Sequence, residues 1–138
     1  MSDELSFGLV GSDLMEEIEY PLEAESLMPI ENLRFAVATS LDKLDQTTTK
    51  MRSNEPLVIA TSYPNTAKRE MGKLGIIVEF NARSIQPGGI EALPEQYGEV
   101  DAIFDLVRSG DTLRANKLGI IEDDISSVNL MLVRKDIV

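Results

Sequence analysis

The chain has 138 residues, with 13 Lys and Arg against 24 Asp and Glu, a formal net charge of −11, and no His, Cys or Trp. Disulfides, zinc sites, thiol nucleophiles and imidazole bases are thereby excluded, and any metal must sit on carboxylates, carbonyls or substrate phosphates, which is the chemistry of Mg²⁺. The acidic balance opposes nonspecific nucleic-acid binding and membrane-surface adsorption, while 43% hydrophobic and 27% charged residues match an ordinary soluble globular chain of one domain or two very small lobes.

The opening segment MSDELSFGLVGSDLMEE is acidic and carries neither a basic n-region nor a long apolar run, so it reads as neither a secretory signal nor an anchor. Apolar stretches such as LGIIVEF fall far short of the roughly 20 residues that span a bilayer, and a cytoplasmic location is expected. SFGLVGSDLMEEIE predicts a strand, a tight turn at Gly11 and a helix capped by Ser12 or Asp13. Glu16, Glu17, Glu19, Glu23 and Glu25 read as a solvated face, and YPLEAESLMP as a connector closed by Pro29.

Further along, LRFAVAT (33–39), LVIATS (57–62), IIVEFN (76–81) and AIFDLV (102–107) are β-branched runs separated by helix-length segments. That alternation predicts the α/β class, with a largely parallel sheet and flanking helices. DKLDQTTTKMRSN (42–54) has three consecutive Thr and little apolar period, so a weak helix ending in a surface loop is expected. Asn65 is the expected N-cap of TAKREMGKL, whose Ala67, Met71 and Leu74 share one face and whose end at Gly75 suits a left-handed residue. Pro87, Gly88 and Gly89 mark a turn, followed by a short helix interrupted near Pro94. NLMLVRK (129–135) adds a strand after a turn at Ser126-Ser127, and Met15, Met28, Met51, Met71 and Met131 are expected in the core.

The segment richest in chemistry is DAIFDLVRSGDTLRANKLG (101–119), a buried strand running into Ser109-Gly110-Asp111-Thr112 and then a helix. Such a turn aims backbone N–H groups at one point beyond the strand's carboxyl end, where a phosphate fits. Ser109 and Thr112 add hydroxyls, Gly110 permits close approach, and Arg114 lies in the first helical turn. Asp101 and Asp105 flank the strand, and Asp105 suits ribose hydroxyls or a Mg²⁺. The alternative is a plain helix-capping box with Asp111 on the favourable end of the dipole. Tyr63-Pro64-Asn65, at the carboxyl end of a strand, is open to the same two readings. So is Gly11-Ser12-Asp13.

DAIFDLVRSGDTLRAN resembles the phosphoribosyl-pyrophosphate loop of ATP phosphoribosyltransferase, the family that opens histidine biosynthesis. Three more segments resemble that family in its order: FGLVGSDLMEE (7–17) the end of its first lobe, VIATSYPNTAKREMGKLGI (58–76) the opening of its second, and GGIEALP its Gly-Ser-Val-Glu segment. The family's first strand and helix, with a Lys-Gly-Arg-Leu type segment, are not matched, nor is a regulatory domain. The resemblance therefore implies a periplasmic-binding-protein-like lobe: 1–30 a remnant of the first lobe and a connector, 31–125 the second lobe with its phosphate loop, and 126–138 a return strand.

It implies a glycosyltransferase moving phosphoribosyl from phosphoribosyl pyrophosphate to N1 of ATP with Mg²⁺, incomplete as a single chain and working as a homo-oligomer or with a complementing chain. The implied roles are Asp101 and Asp105 in catalysis, with Asp105 also on metal. Ser109, Gly110, Asp111, Thr112, Leu113 and Arg114 would hold the phosphate, and Gly11, Ser12, Asp13, Tyr63 and Glu91 the nucleotide or substrate. Asp111 stands where the family usually has Thr, and its charge is expected to repel phosphate. Arg108, where the family commonly has Ser, is the expected compensation. A noncatalytic nucleotide- or phosphosugar-binding or regulatory paralogue is the alternative.

Overall fold

The computed structural model describes residues 6–19, 24–80 and 100–135. Its strands are β1 (Ser6–Gly11), β2 (Ala24–Ser40), β3 (Leu57–Thr61), β4 (Val78–Glu79), β5 (Ala102–Val107) and β6 (Leu118–Lys135), in the sheet order β1-β6-β2-β5-β3-β4. The helices are α1 (Ser12–Ile18), α2 (Leu44–Arg52), α3 (Pro64–Lys73) and α4 (Asp111–Ala115), with a 3₁₀ turn at Leu41–Lys43 before α2. The expected α/β architecture is present. Parallel pairing is concentrated in β5-β3-β4, whereas β2 runs antiparallel to both β5 and β6, and β1 antiparallel to β6.

The central strands read as apolar runs because both faces are covered. Phe35, Val37, Leu57, Ile59, Ala102 and Phe104 form one core with Ala67 and Met71 of α3, while Ala36, Ala38, Ala60, Ile103 and Val107 form a second with Leu113 and Leu118. Phe35 and Phe104 stack with ring centroids 4.8 Å apart, and Tyr63 meets Phe35 edge-on at 5.0 Å.

Several local expectations are corrected. Ala24–Pro29 is strand rather than connector, and Ser126 and Ser127 pair with Phe35 and Arg34 in the ladder instead of turning the chain. A serine pair does not end a strand that has backbone partners ready for it. Residues 30 and 31 thus lie inside β2, and residues 125 and 126 inside β6. The β2–β6 ladder is irregular between Pro29 and Arg34, where Asn32 takes a φ of 63° and proline has no N–H to contribute. α3 buries Thr66, Ala67 and Met71, but Leu74 is 51% exposed, because the helix stops at Lys73 and the turn through Gly75 (φ 79°) brings Ile76 into the core. Met71 is buried while Met28 is 58% exposed. No helix among the described residues is long and apolar enough to cross a membrane.

Candidate functional site

β3 and β5 are parallel neighbours, so their carboxyl ends lie side by side, the place where open α/β sheets bind ligands. From β5 the chain passes through Arg108 and Ser109 to Gly110, whose φ of 80° is left-handed and favours glycine, and then into α4. Residues Asp105 to Leu113 line a cavity of about 150 Å³. The Asp111 N–H donates to Ser109 Oγ at 3.3 Å, and the Asp111 carboxylate pairs with the Arg114 guanidinium one turn away. Hydrogen bonding of the carboxyl to the Ser109 side chain, then the hydrogen bond and charge of Arg114, hold the Asp111 carboxyl below the usual carboxylate range. Asp111 is therefore not a bare charge in the loop: Arg114, rather than Arg108, faces it.

Across from this loop, α1 packs on the start of α3. The Tyr63 hydroxyl donates to Asp13 Oδ2 at 2.8 Å. Glu17, buried on the same face one turn later, accepts from the backbone N–H of Asn65 (2.9 Å) and of Thr66 (2.8 Å), and its carbonyl accepts from Asn65 Nδ2 at 3.0 Å. α3 has no side-chain cap of its own, so the expected Asn65 cap is replaced by a carboxylate from another helix, at the end where the dipole favours it. Burial, the Asp13 hydrogen bond and the negative fields of Asp13, Asp105 and Glu17 push the Tyr63 phenol above its ordinary range. Ser12 Oγ accepts from Asn129 N at 2.8 Å, which ties α1 to β6 directly beside Gly11.

The structure thus gathers Asp105, Ser109–Arg114 and Tyr63 at one end of the sheet, with Asp13 against Tyr63. It does not bring Asp101 there. That residue sits at the amino end of β5, about 20 Å from the loop at roughly 3.3 Å per residue. Its carboxylate accepts from Val58 N (2.9 Å) and pairs with Lys50 Nζ (3.0 Å), while its carbonyl accepts from Thr39 Oγ1 at 2.6 Å. Those partners make Asp101 a tie between β3, α2 and β2. Glu91 lies outside the described residues. Among the described residues no three acidic side chains converge in a metal-holding arrangement.

Two contributors escaped the sequence reading. Glu17 reads as part of a solvated face, although its spacing of four from Asp13 puts both on one side of α1. Arg34, a single cation inside LRFAVAT, anchors the root of the loop. A charge within an otherwise apolar strand is the signal that marks it.

The family model described as "HisG: ATP phosphoribosyltransferase" matches residues 1–138. The ATP phosphoribosyltransferases of Staphylococcus aureus strains USA300 / TCH1516 and JH9 are each 36% identical to it over 127 residues, which is 91% of this chain and 54% of theirs. The chain spans about half the length of the curated relatives it matches. A solved structure described as "ATP phosphoribosyl transferase (HisG:HisZ) complex from Thermotoga maritima" superposes with a TM-score of 0.71 at 25% identity, over 92% of this chain and 57% of that one. With strand, loop and helix in the order its motifs imply and a family match along its whole length, the chain belongs to the ATP phosphoribosyltransferase family.

Proposed function

We propose that this chain carries the phosphoribosyl-pyrophosphate half of an ATP phosphoribosyltransferase site. The observation that carries the reading is the loop after β5, where left-handed Gly110 turns the backbone of Ser109 to Leu113 around a cavity at the sheet's carboxyl end. The loop amides and the hydroxyls of Ser109 and Thr112 take the 5′-phosphate. Asp105, the lining carboxylate on β5, takes the ribose hydroxyls, while Asp111 is paired with Arg114. The N1 lone pair of the ATP adenine then forms a bond to the anomeric carbon as the bond to pyrophosphate breaks and the leaving group departs with its electron pair. Positioning, rather than a strong base, drives such a displacement, which suits a chain without His.

Mg²⁺ is proposed with the substrate: Asp105, in the cavity lining, would hold it, and the ion would neutralise pyrophosphate charge. Tyr63, Asp13, Ser12 and Gly11, on the facing side, are proposed to border the nucleotide. A cytoplasmic location follows from histidine biosynthesis.

We further propose that residues 1–30 derive from a first lobe and the residues from 31 on from the second, with β6 (Leu118–Lys135) as the return strand, and that the chain works with a second copy or a complementing chain. β1 is one of the sheet's two outer strands, and Leu9 on it and Leu14 and Ile18 of α1 are 64%, 47% and 57% exposed, an apolar face that calls for a cover. The relative from Thermotoga maritima is described as a complex.

Pyrophosphate release from phosphoribosyl pyrophosphate and ATP, measured on the chain alone, tests the catalytic reading. The noncatalytic alternative is favoured by the Asp111–Arg114 pair, which keeps the guanidinium of α4 engaged. Binding of phosphoribosyl pyrophosphate without pyrophosphate release would select it.

A further inference from the structure

We propose that Arg34 is the positioning residue of the phosphate loop, an inference that rests on the reading of that loop given above. In the β2–β5 ladder Arg34 lies opposite Val107, the last residue of β5, and hence at the point where the loop begins. Its Nη1 donates to the carbonyls of Val107 (3.3 Å) and Arg108 (2.6 Å), and to that of Asn32 (3.2 Å) in the irregular stretch of β2. The guanidinium is itself held by Asp123 of β6 through two contacts, Nε to Oδ1 at 2.9 Å and Nη2 to Oδ2 at 3.2 Å. A planar fork gripped on one edge by a carboxylate can present its other edge in only one direction.

That direction matters for the loop. In a trans peptide the carbonyl of one residue and the N–H of the next point opposite ways. Fixing the Arg108 carbonyl toward Arg34 therefore aims the Ser109 N–H away from it, and the amide cannot swing without breaking the 2.6 Å contact. The same side chain reaches the Asn32 carbonyl, so the irregular stretch of the β2–β6 ladder and the root of the loop share one anchor. A lysine keeps the charge at this position but has neither the fork nor the fixed direction.

The test compares the parent protein with Arg34→Lys and Asp123→Asn. Affinity for phosphoribosyl pyrophosphate is read by calorimetry, and backbone amide order parameters are read at Ser109, Gly110, Ile59 and Phe104. Arg34→Lys is expected to weaken binding about tenfold. The order parameters at Ser109 and Gly110 should fall from rigid values near 0.85 to below about 0.6, with Ile59 and Phe104 unchanged. Asp123→Asn, which keeps the shape and loses the charge, should move both readouts the same way by less. Equal affinity in Arg34→Lys and parent overturns the proposal. So does a loss of affinity without loosening at Ser109, or with matching loosening at Ile59 and Phe104, which would make Arg34 a general stabiliser. A parent that binds no phosphoribosyl pyrophosphate removes the reading of the loop itself and the proposal with it.

Discussion

The Tyr63 hydroxyl donates a 2.8 Å hydrogen bond to Asp13, joining the turn after β3 to the first turn of α1. Burial and the surrounding carboxylates raise the phenol's pKa in the folded state, so the fold holds this proton when the unfolded chain has released it. The stability this contributes is complete below the ordinary tyrosine value of about 10 and is lost as pH rises beyond it. In a phenolate absorbance titration Tyr63 should ionise in a late step above the ordinary tyrosine range. Tyr63→Phe should remove that late step and flatten the alkaline fall in the urea midpoint. A high-pH titration that Tyr63→Phe leaves unchanged would contradict the contact.

Both carboxylate oxygens of Glu17 accept from the first amides of α3, those of Asn65 and Thr66. Glu17→Ala leaves two backbone donors without that partner at a largely buried helix start and should lower stability by about 2 kcal/mol in urea unfolding. Glu17→Gln, which retains one acceptor oxygen, should fall between. A midpoint unchanged in Glu17→Ala would mean that α1 is not docked on α3.

Asp101→Ala separates structure from chemistry. It removes the acceptor for Val58 N and the partner of Lys50 in a side chain only 19% exposed, so stability should drop by about 1–3 kcal/mol. At a temperature where both proteins remain folded, affinity for phosphoribosyl pyrophosphate should be unchanged. A selective loss of affinity would restore Asp101 to the site.

The fold class and the loop were legible because their signals are local: apolar β-branched runs mark strands buried on both faces, and Ser109-Gly110 followed by a helix former marks the turn. What was not legible depends on partners distant in sequence. Ser126 and Ser127 look like a turn until β2 is laid beside them, and Glu17 looks solvated until the start of α3 meets it. Asp101 and Asp105 are equivalent by spacing, yet strand direction sends one to each end of β5. Asp111 is the exception: its partner Arg114 lies only three residues on, a helical i,i+3 spacing that the sequence itself shows.

The exposed apolar face beside β1 predicts self-association. Sedimentation velocity should show a dimer or larger species, and Leu9→Lys with Ile18→Glu should shift it toward monomer without changing the urea midpoint of the dissociated chain. A compact monomer at high micromolar concentration would contradict the proposed assembly.

The most direct test of the phosphate loop is calorimetric titration of phosphoribosyl pyrophosphate with Mg²⁺ into the parent, Asp111→Thr and Gly110→Val proteins. The parent should bind weakly, because Arg114 is engaged by Asp111. Asp111→Thr should bind severalfold more tightly, since it removes a like charge and releases that guanidinium toward the ligand. Gly110→Val, forced into a φ of 80° that a β-branched residue resists, should not bind while remaining folded. Absence of binding in all three, or Asp111→Thr binding no better than the parent, would contradict the account and leave the loop as a helix cap.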